Sequence, residues 1–162
     1  MHTRLVHPLV MDVYEPVGDT ETDRPLVIYF HTGSFLPFPQ NGITGGKKDD
    51  STAVEICKRL ARMGYVAASA DYRLGWNPLD PQELNRRWFL INAAYRGVQD
   101  ARTCIRYFKK TAAEAGNPWG IDPNKIVLWG QGTGGYITLN SMCLDDYQKT
   151  LISKFLLPGP IP

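Results

Sequence analysis

The sequence lacks a strong charge, a long apolar run and a cysteine framework, and each absence excludes a class of protein. Among 162 residues, 18 Lys and Arg are balanced by 16 Asp and Glu, so the net charge of +2 supplies none of the basic field typical of nucleic-acid-binding proteins. No apolar segment approaches the roughly 20 residues that a membrane-spanning helix needs. We therefore predict no nucleic-acid partner and no membrane span.

Metal-ligating residues are scarce and scattered. The three cysteines, Cys57, Cys104 and Cys143, include no short-spaced pair, so we interpret them as small buried hydrophobes rather than a disulfide framework or zinc ligands. No cluster of ligands accompanies His31, and we predict no metal site. Residues 1–14 show no signal peptide, and the sequence assigns neither a compartment nor an oligomeric state.

The composition is otherwise that of a globular protein. Hydrophobic residues make up 43% and charged residues 21%, which are ordinary proportions for a chain that folds around a core. At roughly 150 residues per domain, the length fits one domain. We predict a single domain over residues 1–162.

Three apolar runs predict buried parallel strands. The strongest covers residues 25–31, where the stretch from Leu26 to Phe30 is continuously apolar rather than alternating, as in strands covered by helices on both faces. Residues 65–71 and 125–129 repeat this pattern. A shorter strand is expected over residues 9–14.

Helical patterns separate these strands. Thr52 and Glu55 fit a capping box at the start of a helix, and Gly64 is expected to end it. Apolar residues at alternating steps of three and four over residues 90–112 predict a long helix that ends near Gly116. A further helix is expected after the glycine-rich segment behind the last strand. This alternation predicts an α/β fold, a three-layer αβα sandwich with a mostly parallel sheet.

Two loops at the carboxyl ends of the predicted strands carry the most information, because ligands of open α/β sheets bind at that edge. Their sequences are His31-Thr32-Gly33-Ser34-Phe35 and Gly130-Gln131-Gly132-Thr133-Gly134-Gly135. The accompanying segments are Met11-Asp12-Val13-Tyr14, Asp71-Tyr72-Arg73-Leu74, Gln99-Asp100-Ala101 and Gly120-Ile121-Asp122-Pro123. Over roughly residues 9–140 they resemble the α/β-hydrolase superfamily, in particular its carboxylesterase and lipase-like branch, which has a His-Gly-Gly-type oxyanion loop and a Gly-x-Ser-x-Gly nucleophile elbow.

The resemblance implies an α/β-hydrolase fold and the cleavage of carboxylic esters through an acyl-enzyme. The backbone N–H groups of Gly33, Ser34 and Thr133 would form the oxyanion hole, because donors aimed at the developing negative charge lower the barrier. His31 would support the oxyanion loop rather than act as a base. The implied ligand is a small ester-like molecule, and no cofactor is implied.

The elbow departs from the family pattern at its central position. Gly132 stands where the family has its nucleophilic serine, and loss of that serine costs on the order of 10⁶ in turnover, or about 8 kcal/mol. Thr133 follows, but an elbow that directs residue 132 into the site should direct its neighbour elsewhere. The flanking elbow glycines are Gly130, Gly134 and Gly135.

The order of the other catalytic groups is a second departure. In this fold the acid and then the histidine follow the nucleophile, whereas His2, His7 and His31 all precede the elbow. Asp145 and Asp146 fall in or just after the elbow helix, too early for the usual acid. We therefore expect a domain truncated after the elbow helix and incomplete at its C-terminus, with its last strand as an edge. Together with the missing serine, this predicts a pseudoenzyme.

Two other functions stay open on the sequence. A hydrolase fold without its serine could serve as a non-catalytic binding or interaction module that keeps the pocket and the oxyanion donors. Alternatively, Gly130, Gly132 and Gly135 satisfy the Gly-x-Gly-x-x-Gly fingerprint of dinucleotide-binding domains. That fingerprint expects an acidic residue about 20 positions later to hold the ribose. Residues 150–157 contain no acid.

Overall fold

A computed structural model describes residues 8–18, 20–37, 40 and 45–151 of the chain. Four strands alternate with three helices. The strands are β1 (Met11–Tyr14), β2 (Arg24–Phe30), β3 (Val66–Ala70) and β4 (Ile121–Gly130). The helices are α1 (Ser51–Arg62), α2 (Glu83–Glu114) and α3 (Thr133–Cys143), and a 3₁₀ turn follows at Tyr147–Thr150.

The strands form one mixed sheet in the order β1-β3-β2-β4. Strand β2 lies in the middle and pairs in parallel with β3 and β4, so that Ile28 stands between Ala68 and Leu128. Strand β1 runs antiparallel along β3, and β4 forms the opposite edge of the described sheet. Because the crossover helices pack on both faces, the architecture is the expected three-layer αβα sandwich.

The continuous apolar character of β2 is explained by its two covered faces. Tyr29 packs on one face against Ala53 and Cys57 of α1, and burial there raises the pKa of the Cys57 thiol to about 12. The opposite face belongs to the larger core, in which Ile28 and Phe30 pack with residues of α2 and α3. Alternate side chains of β2 therefore enter different layers, and no position of the strand core is left for a polar residue.

Two helix starts differ from the sequence expectation. The capping box is wrong: α1 begins at Ser51 after Asp50, with Thr52 already inside its first turn, and Asp50 makes no side-chain cap. The Asp50 carboxylate instead accepts the Gly46 N–H at 2.6 Å. Helix α2 begins at Glu83, well before the predicted apolar stripe, because its first turns are held by polar contacts such as Arg86 Nη1 to the Asp80 carbonyl.

Strand β4 also begins earlier than predicted. The strand predicted over residues 125–129 starts at Ile121 instead, which already pairs with Arg24 before an irregularity interrupts the ladder. Asn117 holds this entry by bonding both the N–H and the carbonyl of Ile121. The two prolines in this segment hid the strand, because proline cannot donate to a ladder and argues against a central strand.

Two of the three cysteines are buried and one is exposed. Cys57 and Cys104 are buried as expected, but Cys143 is exposed because it lies at the end of α3, so its assignment to the core is wrong. All three are free thiols. Among the described helices, none combines the length and apolar character that crossing a membrane requires.

Candidate functional site

The loops that follow β2 and β4 lie side by side at the carboxyl edge of the sheet. The Gln131 N–H donates to the Phe30 carbonyl at 3.3 Å, which joins the end of β2 to the start of the turn after β4. A cleft of about 550 Å³ opens beside them. Ser34, Gly132 and Thr133 all line it, so three of the residues singled out in the sequence come together in one place.

Residues 130–135, called the elbow below, connect β4 to α3 through a sharp turn. Gly132 caps the helix with φ 58° and ψ −119°, a region that residues with a Cβ rarely enter. A non-glycine residue held there is strained by about 1–3 kcal/mol. The elbow therefore turns sharply at Gly132, and glycine adopts this conformation without strain.

Gly130 and Gly134 of the elbow are required by close backbone approach. A Cβ on Gly130 would lie 2.1 Å from the carbonyl carbon of Gly134, and a Cβ on Gly134 would lie 2.0 Å from the Phe30 carbonyl oxygen. At Gly135 the nearest atom would be the Gly130 oxygen at 3.3 Å. Helix α3 thus begins in direct backbone contact with the ends of β2 and β4.

Thr32 covers the central glycine of the elbow. A Cβ built on Gly132 would lie 2.3 Å from Thr32 Oγ1 and 3.1 Å from Thr32 Cβ, so that rotating the threonine hydroxyl away would still leave a tight contact. Sequence reasoning assigned no role to Thr32. The signal was present, because the His-Gly-Gly motif has a glycine where this chain has Thr32, next to His31.

Residues 31–35, called the His31 loop below, adopt an unusual backbone. Ser34 and Phe35 both have positive φ, at 55° and 56°, although neither is glycine. Trp76 Nε1–H donates to the Ser34 carbonyl at 2.9 Å, and the Gly75 N–H donates to the Phe35 carbonyl at 2.7 Å. With the Phe35 side chain buried as well, these contacts hold the loop in a conformation that its sequence alone disfavours.

Comparison with known proteins agrees with this geometry. Residues 11–151 match the family model of BD-FAE, an esterase-type α/β-hydrolase family. The chain belongs to the BD-FAE family. It is also similar to mouse (Mus musculus) Carboxylesterase 3B, with 27% identity over 135 residues, which cover 80% of this chain and 19% of the mouse protein.

Solved esterase structures resemble the chain as well. Thermogutta terrifontis esterase 2 phosphorylated by paraoxon is 27% identical with a TM-score of 0.55, covering 80% of this chain and 40% of the esterase. The butyrate-bound form of that esterase is 26% identical with a TM-score of 0.53, covering 80% of this chain and 38% of the esterase. The chain therefore spans well under half the length of the relatives it matches.

In this member of the BD-FAE family, the side chains of His31 and Tyr72 lie buried beneath the His31 loop. The His31 ring is buried, stacks on Tyr72 at 4.4 Å, and its Nδ1–H donates to the Thr32 carbonyl at 2.5 Å. His31 Nε2 lies 3.4 Å from Asp71 Oδ1 but makes no hydrogen bond. The described contacts of the His31 ring are therefore with Thr32, Asp71 and Tyr72.

Tyr72 joins the His31 loop to the elbow. Its hydroxyl donates to the His31 carbonyl at 2.8 Å, so the Thr133 hydroxyl, 2.9 Å away, donates to the Tyr72 oxygen. Burial raises the pKa of Tyr72, which keeps the phenol protonated as a donor. The Thr133 hydroxyl is therefore directed into this buried network. Sequence reasoning quoted Tyr72 within a motif without assigning its role.

Asp100 anchors the segment that supports the His31 loop. It is buried and accepts the Arg73 N–H at 2.8 Å and the Arg73 Nε–H at 2.9 Å, so it forms an ion pair with Arg73. Arg73 lies just before Gly75 and Trp76, the two residues that bond the loop. Across the part of the chain that the structure describes, no three His, Cys, Asp or Glu side chains group to hold a metal ion.

Proposed function

We propose that this chain binds a small acyl compound, an ester or its carboxylic acid, in the cleft between the His31 loop and the elbow, and does not hydrolyse it. The observation that carries the proposal is Gly132. It adopts the backbone of a nucleophile turn at the mouth of the cleft and offers no nucleophile there. The family supplies the ester-related chemistry, and the substitution removes the covalent step.

The neighbouring hydroxyl groups do not compensate for the missing serine. Loss of a triad serine raises the barrier by about 8 kcal/mol. The Thr133 hydroxyl donates to buried Tyr72. The Thr32 hydroxyl lies beside Gly132, but His31 directs its Nδ1 to the Thr32 carbonyl rather than to the hydroxyl. A hydroxyl without a base within hydrogen-bond reach is a weak nucleophile.

Binding has a physical basis in the same cleft. The Thr133 N–H begins α3, where the helix dipole favours a negative oxygen, and the Gly33 and Ser34 N–H groups are the further proposed donors. The rest of the cleft is mostly apolar, lined by Phe35, Trp76, Leu90, Ile91, Ala94 and Tyr136. Its volume of about 550 Å³ accommodates a short acyl chain. The related esterase that binds butyrate supports this ligand class.

Two assays test the proposal. We expect short-chain nitrophenyl esters to be hydrolysed at the buffer rate, and butyrate to perturb the NMR signals of the Ser34 and Thr133 amides in a saturable way. Turnover that is lost in Thr133→Ala would instead identify that hydroxyl as the nucleophile and contradict the proposal. Restoring Gly132→Ser should not recover hydrolysis by itself, because the new hydroxyl has no base.

A matched pair of variants localises the ligand. Ala94→Phe fills the cleft, whereas Ala113→Phe adds the same ring on an exposed position of the same helix. We expect the first variant to lose butyrate binding and the second to retain it. Equal binding by both would place the ligand outside the cleft.

A further inference from the structure

Thr32 lines a second cavity and contacts Gly132, which lines the cleft described above. The second cavity is polar, has a volume of about 230 Å³ and is lined by Tyr29, Thr32, Gly45, Asp50, Ser51, Thr52, Ala53 and Gln131. Consecutive residues Gln131 and Gly132 therefore face different cavities. The Thr32 hydroxyl lies against Gly132, while its methyl group points toward Gly45.

We propose that Thr32 is the specificity-determining residue of this site and restricts the cleft to free carboxylic acids, excluding their esters. This inference rests on the proposed function and names its ligand class. If residue 132 carried a side chain, as a nucleophile would, its Cβ would lie only 2.3 Å from Thr32 Oγ1. The threonine thus fills the space next to residue 132, and a group attached to the acyl carbon of a ligand bound beside Gly132 would need that space.

The chemistry of the Thr32 hydroxyl favours the acid for a second reason. The hydrogen bonds of Thr32 in the described part of the chain are made by its carbonyl oxygen. Its hydroxyl can therefore donate to the second oxygen of a bound carboxylate, which is a strong charge-assisted acceptor. An ester carries a carbon on that oxygen, and this carbon would need the volume that the threonine occupies.

The experiment compares butyrate with ethyl butyrate, which stays intact under the proposed function because the chain does not hydrolyse it. Binding of each compound is followed by the NMR shifts of the Ser34 and Thr133 amides. We expect the chain to bind butyrate at least about 10-fold more tightly, since excluding a carbon group from a packed site discriminates by about 10–200-fold. Methyl butyrate should fall between the two.

Two variants separate the size of Thr32 from the charge of the ligand. Thr32→Ala removes most of the Thr32 side-chain volume and should bring the affinities for acid and ester close together. Thr32→Val keeps the volume and loses the hydroxyl, so it should still exclude the ester while binding butyrate more weakly. A preference that arises from ligand charge alone would persist in Thr32→Ala and would overturn the inference.

The outcomes also distinguish this inference from the proposed function. If the unmodified chain binds butyrate and ethyl butyrate equally, the role of Thr32 is wrong and the proposed binding function stands. If it binds neither compound, the proposed function fails and the inference falls with it. The ester series on the unmodified chain decides between these results even if a Thr32 variant does not fold.

Discussion

The elbow and the His31 loop meet at the same cleft but reach their unusual backbone conformations by different means. In the elbow, glycine occupies each position where the backbone turns sharply or approaches another strand, including Gly132 at φ 58°. In the His31 loop, Ser34 and Phe35 hold positive φ angles that glycine would adopt more readily. One region avoids strain through its sequence, and the other is held in a strained state by its surroundings.

The two regions are therefore sensitive to opposite kinds of substitution. The elbow depends on absent side chains, so added atoms should disrupt it. The His31 loop depends on contacts from Tyr72 and from Trp76, so removed atoms should loosen it.

The largest effect is expected from adding a methyl group where α3 meets β2. In Gly134→Ala the new Cβ would lie 2.0 Å from the Phe30 carbonyl oxygen, and rigid backbone stands on both sides of the contact. We expect the free energy of unfolding, measured by denaturant titration, to fall by about 4 kcal/mol or more.

The neighbouring glycine is the matched control. In Gly135→Ala the nearest atom is 3.3 Å away, and the higher helix propensity of alanine offsets about 1 kcal/mol of the cost. This variant should therefore remain within about 1 kcal/mol of the unmodified chain. Equal destabilisation by the two variants would show that the close approach of Gly134 to the Phe30 carbonyl does not set the cost of an added methyl group.

A smaller effect is expected at the centre of the elbow. Gly132→Ser should lower the free energy of unfolding by about 3 kcal/mol, since the side chain is strained at positive φ and meets Thr32. In a Thr32→Gly background the strain remains but the contact disappears, so the cost should fall by about 1 kcal/mol. A double-mutant cycle measures this coupling. Additive costs would mean that Thr32 rotates away freely.

A smaller loss of unfolding free energy is expected when the hydrogen bonds of Tyr72 beneath the His31 loop are removed. Tyr72→Phe removes the hydroxyl that bonds the His31 carbonyl and the Thr133 hydroxyl, and both groups lose a partner. We expect a loss of about 2 kcal/mol in unfolding free energy, in the range for buried groups left without a partner. Tyr107→Phe removes the same atom from a side chain that is 47% exposed and should change stability little. Similar losses in both variants would contradict the buttressing role of Tyr72.

Local sequence patterns predicted the parts of the fold that depend on neighbours in the chain. The apolar run of β2 marks a strand covered on both faces, and the glycines of the elbow mark a turn between strand and helix. The starts of α2 and β4 were missed for a local reason as well. Polar contacts begin α2 at Glu83, and Pro123 lies within β4.

The missed features of the candidate site are contacts between distant segments. Tyr72 reaches His31 from 41 residues away and Thr133 from 61 residues away, and no local periodicity reports such pairs. The contact of Thr32 with Gly132 is of the same kind. Each of these two positions departs from the family motif on its own. Only their proximity in the fold indicates that the two departures belong together.

The smallest effect concerns the outer support of the His31 loop. Trp76→Phe keeps an aromatic ring beside the cleft and removes the Nε1–H that donates to the Ser34 carbonyl. We expect a loss of about 1 kcal/mol in unfolding free energy, the usual value of one such bond. Trp129→Phe on the exposed edge strand is the control, because Trp129 contacts Tyr29 through its ring. If the loop is held by its surroundings, Trp76→Phe alone should shift the Ser34 amide signal. An unchanged signal would mean that Ser34 and Phe35 keep their positive φ angles without this support.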